Sequence, residues 1–217
     1  MKFWQKKFNL FLPALLALSI TAIPQMGNAQ DSAPSLEELI QLGNQAAKSK
    51  NYAQAERLFY NAVKLYPNYP AAYYNLAKAL YDQGKLEEAE TNYRRAILLN
   101  PEYAEAYNNL GSVLSDQGKL EEAIINFERA IHFNPQYSLA YNNLGTALHE
   151  QGHLEEAQMQ YQTAIELDDT NALAYYNLGL VLRDQGKTQE AKANFDKALS
   201  INPNLPDPAQ FSNKKKQ

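Results

Sequence analysis

Residues 149–153 read HEQGH, which matches the zinc-binding motif H-E-x-x-H. In that motif two histidines one helical turn apart bind zinc, and the glutamate acts on the zinc-bound water. The chemistry would be metal-assisted peptide hydrolysis by His149, Glu150 and His153. Zinc binding by this motif requires both histidines on one face of one continuous helix. The secondary structure that the surrounding sequence forms therefore determines whether the motif can bind zinc.

The chain is dominated by an internal repeat of 34 residues. The stretches AAYYNLAKALYDQGKLEEAETNYRRAILLNP and EAYNNLGSVLSDQGKLEEAIINFERAIHFNP begin at Ala71 and Glu105, and similar copies begin at Leu139 and Leu173. A more divergent copy begins at Glu37. Each copy has two segments with apolar residues at helical spacing. Because one such unit cannot bury its apolar face alone, the repeat predicts an all-α solenoid of five helix–turn–helix units.

The repeat resembles the tetratricopeptide repeat family, which has a 34-residue unit with small and aromatic residues at fixed places. Proline closes four copies, and Asp169 stands there in the fourth. The resemblance implies a right-handed solenoid whose concave groove binds protein segments, with neither a cofactor nor enzymatic chemistry. The first-helix matches are Leu42-Gly43, Leu76-Ala77, Leu110-Gly111, Leu144-Gly145 and Leu178-Gly179. The aromatic matches in the second helix are Phe59, Tyr93, Phe127, Tyr161 and Phe195.

The repeat register gives HEQGH a different interpretation. The equivalent stretches in three other copies are YDQGK, SDQGK and RDQGK. Gly152 is therefore predicted to be the turn glycine between two helices, with His149 ending one helix and His153 preceding the next. We expect no metal site here, and the zinc peptidase interpretation is disfavoured. His132 is expected to be a solvated surface residue.

A ladder of asparagines at the 34-residue stride is the best candidate for a binding function. In the family this place on the first helix faces the groove, where side-chain amides could hydrogen-bond a peptide backbone. The alternative is that the same asparagines brace neighbouring copies. The ladder consists of Asn75, Asn109, Asn143 and Asn177. Further groove candidates are Tyr74, Lys78, Asn108, Asn142, Tyr176 and Arg183. Because these positions are largely neutral, a C-terminal carboxylate is not the expected ligand.

The N-terminus has the layout of a secretory signal peptide. Three lysines precede an apolar run from about Leu10 to Ile23, and small residues Gly27 and Ala29 fit cleavage after residue 29. Export is therefore expected, to the periplasm or another extracytoplasmic lumen in a bacterium. The alternative is an uncleaved membrane anchor formed by residues 8–24. Cleavage would change the formal net charge from −4 to −7, because the removed segment holds three lysines and no acid. An acidic chain argues against nucleic-acid partners.

These observations predict an exported protein-interaction scaffold that docks a partner segment in the groove. The alternatives are a membrane-anchored assembly factor with the same groove and, disfavoured, a zinc metallopeptidase. The partner is a protein or peptide, and self-association through the C-terminal end is a further expectation. The predicted organisation is a signal peptide at 1–29, a linker at 30–35, repeats at 36–69, 70–103, 104–137, 138–171 and 172–205, and a tail at 206–217.

Overall fold

The computed structural model describes residues 33–208, which form ten α-helices and no strand. The all-α prediction is confirmed, and each predicted repeat holds one helix pair. The signal peptide and most of the tail lie outside the described residues. The helices are α1 (Leu36–Lys48), α2 (Tyr52–Leu65), α3 (Pro70–Tyr81), α4 (Leu86–Leu99), α5 (Ala104–Asp116), α6 (Leu120–Phe133), α7 (Ser138–Glu150), α8 (Leu154–Leu167), α9 (Ala172–Asp184) and α10 (Thr188–Ile201).

Local sequence fixes where the helices begin and end. Ser35 caps α1 in a capping box: its hydroxyl accepts from the Glu38 backbone N–H at 3.2 Å, and the Glu38 carboxylate accepts from the Ser35 N–H at 2.8 Å. Four glycines with positive φ separate the helices of repeats 2–5, and Gly152 has φ +84°. A residue with a Cβ is disfavoured in this left-handed conformation, so the glycine ends the first helix.

The main hydrophobic core runs from the first repeat to the fifth, and a smaller cluster of Leu39, Ala62 and Ala72 lies at the N-terminal end. Within a repeat the two helices cross where a small residue meets an aromatic ring. A Cβ built on Gly111 would lie 2.6 Å from Cε1 of Phe127, and one on Gly145 would lie 2.9 Å from Cε1 of Tyr161. These rings are buried, so the absence of a Cβ permits the close approach of the two helices.

The stacking of the repeats defines an inner side. The second helix of each repeat packs on the first helix of the next, as α2 does on α3, and successive first helices also contact one another. No two successive second helices within residues 33–208 make a comparable contact. The first helices are therefore the closer set, and α1, α3, α5, α7 and α9 line the concave side of the solenoid. We call this surface the groove.

The N-terminal edge of the stack differs from the interior. Leu42 is 50% exposed, whereas Leu110, its counterpart two repeats further along the chain, is 1% exposed. The difference arises because no repeat within the described chain packs against this side of α1. None of the helices in residues 33–208 combines the length and apolar character needed to cross a membrane.

Candidate functional site

The two histidines of HEQGH lie on either side of a turn. His149 is in the last turn of α7, and His153 is the N-cap residue of α8, so the predicted turn at Gly152 is confirmed. His149 Nε2 is 3.0 Å from Asp184 Oδ2 in the next repeat. His153 Nδ1 is 3.3 Å from Glu156 Oε1 on its own helix. The continuous helix that the zinc motif requires is therefore replaced by two helices whose histidines have different partners.

The asparagine ladder forms hydrogen bonds between repeats. Asn143 Nδ2 donates to Asn108 Oδ1 at 3.0 Å, and Asn177 Nδ2 donates to Asn142 Oδ1 at 3.2 Å. In each bond the donor is a ladder asparagine. The acceptor lies in the preceding repeat, one residue before the ladder asparagine of that repeat. In the second repeat that place is held by a tyrosine. These bonds join successive first helices across the groove wall.

Further bonds link these contacts into one chain across repeats 2–5. Asn108 Nδ2 donates to Asn109 Oδ1 at 3.1 Å, and Asn142 Nδ2 donates to Asn143 Oδ1 at 3.3 Å. The last hydrogen bond of this series is the one that Asn109 Nδ2 donates to the Tyr74 hydroxyl at 3.0 Å. We call this series of hydrogen bonds the amide relay. In each of its bonds between repeats the donor lies in the later repeat and the acceptor in the preceding one. These are the contacts between repeats that the bracing interpretation of the ladder requires.

The relay leaves part of each ladder amide available. A primary amide has two N–H donors and two acceptor lone pairs. Asn109 and Asn143 each use one donor and one acceptor within the relay, and both side chains are partly exposed. One N–H and one lone pair of Asn143 therefore remain for a ligand, in an orientation that the bracing bonds fix, whereas the Asn109 amide also interacts with the Tyr93 hydroxyl. Bracing and binding are compatible functions of the same residue.

Asn75 is the exception in the ladder. Its relay partner would be Ile40 on α1, which has no hydrogen-bonding side chain. Within the described residues the Asn75 amide makes no side-chain hydrogen bond, and it lines a cavity of about 300 Å³ with Asn44, Lys48 and Lys78. Lys78 is exposed. Among residues 33–208, the N-terminal end of the groove therefore presents an amide with neither a donor nor an acceptor in use.

The remaining predicted site residues differ in accessibility. Asn108 and Asn142 are 1% and 5% exposed, so their contacts are with the protein rather than with the open groove. Tyr176 is buried, and its ring packs edge-on against Phe195. Arg183 is partly buried, and its Nε lies 3.7 Å from Asp184 Oδ1. Of the neighbours of the ladder, Tyr74 and Lys78 thus remain the most accessible candidates.

A row of tyrosines beside the ladder is a feature that the sequence analysis missed. Tyr69, Tyr103 and Tyr137 each precede a first helix as its N-cap residue, at the 34-residue stride. The Tyr103 ring stacks on Tyr74, with centroids 5.1 Å apart. Burial raises the pKa of Tyr103 to about 12, and neighbouring Tyr74 and the Glu105 carboxylate add to the effect. A tyrosine two residues after each interrepeat proline is the signal that could have found this row.

A stack of 34-residue helix pairs with these crossing residues defines a tetratricopeptide repeat protein, a class of mostly non-catalytic interaction scaffolds. Residues 19–212 match the family model of the cilia and flagella-associated protein 70 C-terminal domain, a domain of this repeat type, and the chain therefore belongs to that family. No curated protein matches the chain.

Several solved structures share the fold. A crystal structure of MamA is 28% identical, with a TM-score of 0.66 over 74% of this chain and 94% of that chain. YrrB, described as a TPR protein with an unusual peptide-binding site, is 24% identical, with a TM-score of 0.61 over 78% of this chain and 88% of its own. PilF of Pseudomonas aeruginosa is 21% identical, with a TM-score of 0.73 over 81% and 78% of the two chains. The last two likenesses concern the fold alone.

Proposed function

We propose that this chain is an exported scaffold that docks an extended segment of a partner protein along the groove. The observation that carries the proposal is the amide relay. It holds Asn109 and Asn143 in fixed orientations, and Asn143 keeps an unused N–H and lone pair. One amide of this kind can pair with both the C=O and the N–H of one peptide unit in a ligand. Ordering the amides in advance reduces the entropy lost on binding.

The spacing of the repeats supports an extended ligand. Neighbouring helices pack at about 8–10 Å between axes. An extended peptide advances about 3.3 Å per residue, so three residues span about 10 Å. Successive ladder amides could therefore contact every third residue of the segment. Recognition of this kind reads the backbone and tolerates many side chains. The peptide-binding site that is described for YrrB agrees with this use of the fold.

A peptide library tests the proposal. We expect a displayed library of 12-residue peptides to yield binders whose affinity falls at least tenfold in the double variant Asn109→Ala/Asn143→Ala. Each lost pair of amide contacts should cost about 1–3 kcal/mol. The matched control is Asn92→Ala/Asn126→Ala, because those amides bond only to carbonyls of their own second helices. Affinities are compared by calorimetry at a temperature where circular dichroism shows all variants folded. Equal affinities for wild type and the ladder variant would refute the role of the ladder.

The membrane-anchored alternative uses the same groove and differs only at the N-terminus. The apolar run near residues 10–23 motivates it. Mass spectrometry of the protein from its native compartment distinguishes the two proposals. A mature N-terminus near Gln30 indicates export with cleavage, whereas an intact Met1 in the membrane fraction supports the anchor.

A further inference from the structure

The residues that share a helix face with the ladder asparagines form rows across the groove. Residues four before, three after and seven after a given residue lie on the same face of an α-helix. On α7 these positions around Asn143 hold Leu139, Thr146 and Glu150, and all four side chains are exposed or partly exposed. The same spacing applies to every first helix, so the groove presents four rows of side chains, of which the ladder is one.

The row one helical turn before the ladder changes in character along the groove. We call it the variable row, and it consists of Glu37, Ala71, Glu105, Leu139 and Leu173. One turn further along these helices, relay bonds of 3.0 and 3.2 Å hold α5 beside α7 and α7 beside α9. Consecutive members of the variable row in repeats 3–5 therefore lie on adjacent helices at the same level. There a carboxylate in the third repeat is followed by a leucine in each of the next two.

Three leucines make the C-terminal end of the groove apolar. Leu139 and Leu173 are 44% and 52% exposed. Leu180 lies on the same face of α9, three residues after Asn177, and is partly exposed. We call these three leucines the leucine patch. The patch borders the ladder amides of repeats 4 and 5, and removal of its apolar side chains from water is favourable.

Negative charge accompanies the leucine patch. The row seven residues after the ladder is acidic in four successive repeats and consists of Asp82, Asp116, Glu150 and Asp184. Glu105 adds an exposed carboxylate beside Leu139 in the variable row, and none of the ion pairs among residues 33–208 includes it. The two cations of these rows, Lys48 and Lys78, lie in repeats 1 and 2.

Charge complementarity therefore favours a partner that carries positive charge next to apolar side chains. A lipid surface is a poorer occupant, because the groove is concave and its carboxylates repel anionic headgroups.

We infer that the leucine patch receives two apolar side chains of the docked segment, three residues apart, and that Glu105 pairs with a lysine or arginine three residues beyond them. This inference rests on the proposed function and gives the docked segment a defined chemistry in repeats 3–5. The spacing follows from the distance of about 8–10 Å between packed helices, which matches about three residues of an extended chain. The apolar end of this pattern lies over the fifth repeat and the basic end over the third.

Selection from the 12-residue library tests the pattern first. We expect peptides that bind wild-type protein to be enriched in two apolar residues and one basic residue at this spacing, in either chain direction. Selection on the variant Leu139→Gln/Leu173→Gln should lose the enrichment. Glutamine has nearly the helix propensity of leucine, so circular dichroism should show this variant folded.

Calorimetry with a matched control measures the contribution of the leucines. Leu139→Gln/Leu173→Gln should weaken the best selected peptide at least tenfold, because two buried apolar contacts are lost. The control is Ile125→Gln/Met159→Gln, which should change the affinity less than twofold. Those residues are 55% and 60% exposed and also occupy one position of two successive repeats, but on the second helices α6 and α8.

A double-mutant cycle separates direct contact from an indirect effect of the substitutions. Replacement of the two apolar residues of the peptide by alanine should weaken binding to wild-type protein at least tenfold. The same replacement should cost nothing further in Leu139→Gln/Leu173→Gln. Equal costs in both proteins would overturn the contact.

The charge at Glu105 has its own test. Glu105→Gln should weaken a peptide with lysine at the basic position roughly 1.5- to 5-fold, the range of exposed ion pairs. The loss should vanish when that lysine is replaced by norleucine. The matched control is Glu128→Gln, an exposed carboxylate on α6. Equal losses in Glu105→Gln and Glu128→Gln would overturn the pairing.

The outcomes distinguish this inference from the proposed function. Peptides that depend on the ladder but bind Leu139→Gln/Leu173→Gln as tightly as wild type would overturn the leucine patch and leave the scaffold proposal intact. A library that yields no binder would contradict the scaffold proposal, and N-acetylleucine amide would then test the patch alone. That probe should shift the methyl NMR signals of Leu139 and Leu173, and N-acetylglutamine amide should not. Equal effects of the two probes would overturn apolar recognition.

Two further results would assign the patch to another occupant and overturn the inference. One is sedimentation of the protein with phosphatidylglycerol vesicles that is lost in Leu139→Gln/Leu173→Gln. The other is tighter binding of a synthetic peptide of residues 208–217 than of any selected peptide, since that result would identify a second copy of this chain as the ligand.

Discussion

At the scale of single residues, the glycines of this chain serve two physical purposes. Gly118 has φ +75° and no atom within 4 Å of an added Cβ, so its role is conformational. Gly111 is helical, and an added Cβ would lie 2.6–2.9 Å from three carbons of the Phe127 ring, so its role is steric. The second repeat has Ala77 at the equivalent place. The space available for a Cβ at this position therefore differs from one helix crossing to the next.

Gly111→Ala should destabilise the protein despite the better helix propensity of alanine. Overpacking in a core costs about 1–3 kcal/mol, and alanine regains roughly 1 kcal/mol of propensity. We expect a net loss of about 1 kcal/mol in the free energy of unfolding, measured by urea denaturation. In a Phe127→Leu background the cost of Gly111→Ala should shrink, because the obstructing ring is absent. An unchanged cost in that background would show that the ring is not the cause.

At the scale of elements, the relay bonds hold successive first helices together. Asn143 supplies the donor to Asn108 Oδ1, and Asn108 is 1% exposed. Removing that donor leaves a buried acceptor unsatisfied, which is more costly than losing an exposed hydrogen bond. Asn75 occupies the same place in its repeat but has no relay partner. A comparison of these two asparagines therefore separates the effect of the relay bond from the effect of having asparagine at this position of the helix.

Asn143→Ala should lower the free energy of unfolding by about 1–3 kcal/mol, whereas Asn75→Ala should change it by less than about 0.5 kcal/mol. Both substitutions remove the same groups from the same position of a first helix, so helix propensity cancels in the comparison. Urea midpoints of the two variants and wild type provide the measurement. Similar losses in both variants would mean that the relay contributes little.

The helices and their order were predictable because each repeat copies the same signals. The 34-residue stride and the turn at Gly152 were both confirmed. From the sequence, bracing between repeats is one of two interpretations of the ladder, because the stride alone does not show whether an amide faces a ligand or a neighbour. The burial of Asn108 depends on its contact with Asn143, 35 residues away. Such a contact follows from the angle between repeats, which no local pattern encodes.

At the scale of the whole molecule, the stack is more loosely held at its N-terminal end. The first repeat lacks a relay bond because Ile40 stands where the other repeats have Tyr74, Asn108 or Asn142. Leu42 is also half exposed. In repeat proteins stability is approximately a sum of terms for each repeat and each neighbouring interface. Among residues 33–208 the first repeat has one interrepeat interface and no relay bond, so we expect it to be the least stable of the five.

Native-state hydrogen exchange should show this gradient. We expect backbone amides of α1 to exchange at least tenfold faster than those of α5, after correction for intrinsic rates, because local opening of the first repeat exposes little core. The comparison uses amides in the middle of each helix, so that fraying ends do not contribute. Equal protection in α1 and α5 would indicate that the solenoid opens only as one cooperative unit.

The one-way direction of the amide relay also restricts how such a chain could grow by duplication. A second copy of residues 104–137 placed beside the first would accept a donor from the following repeat and offer its own donor to the preceding one. A second copy of residues 36–69 in the interior would insert an isoleucine where an acceptor is needed and would cut the relay in two. Duplication of a central repeat would thus lengthen the groove and keep the amide relay continuous. Duplication of the first repeat would preserve the relay only if the new copy stayed at the N-terminal end.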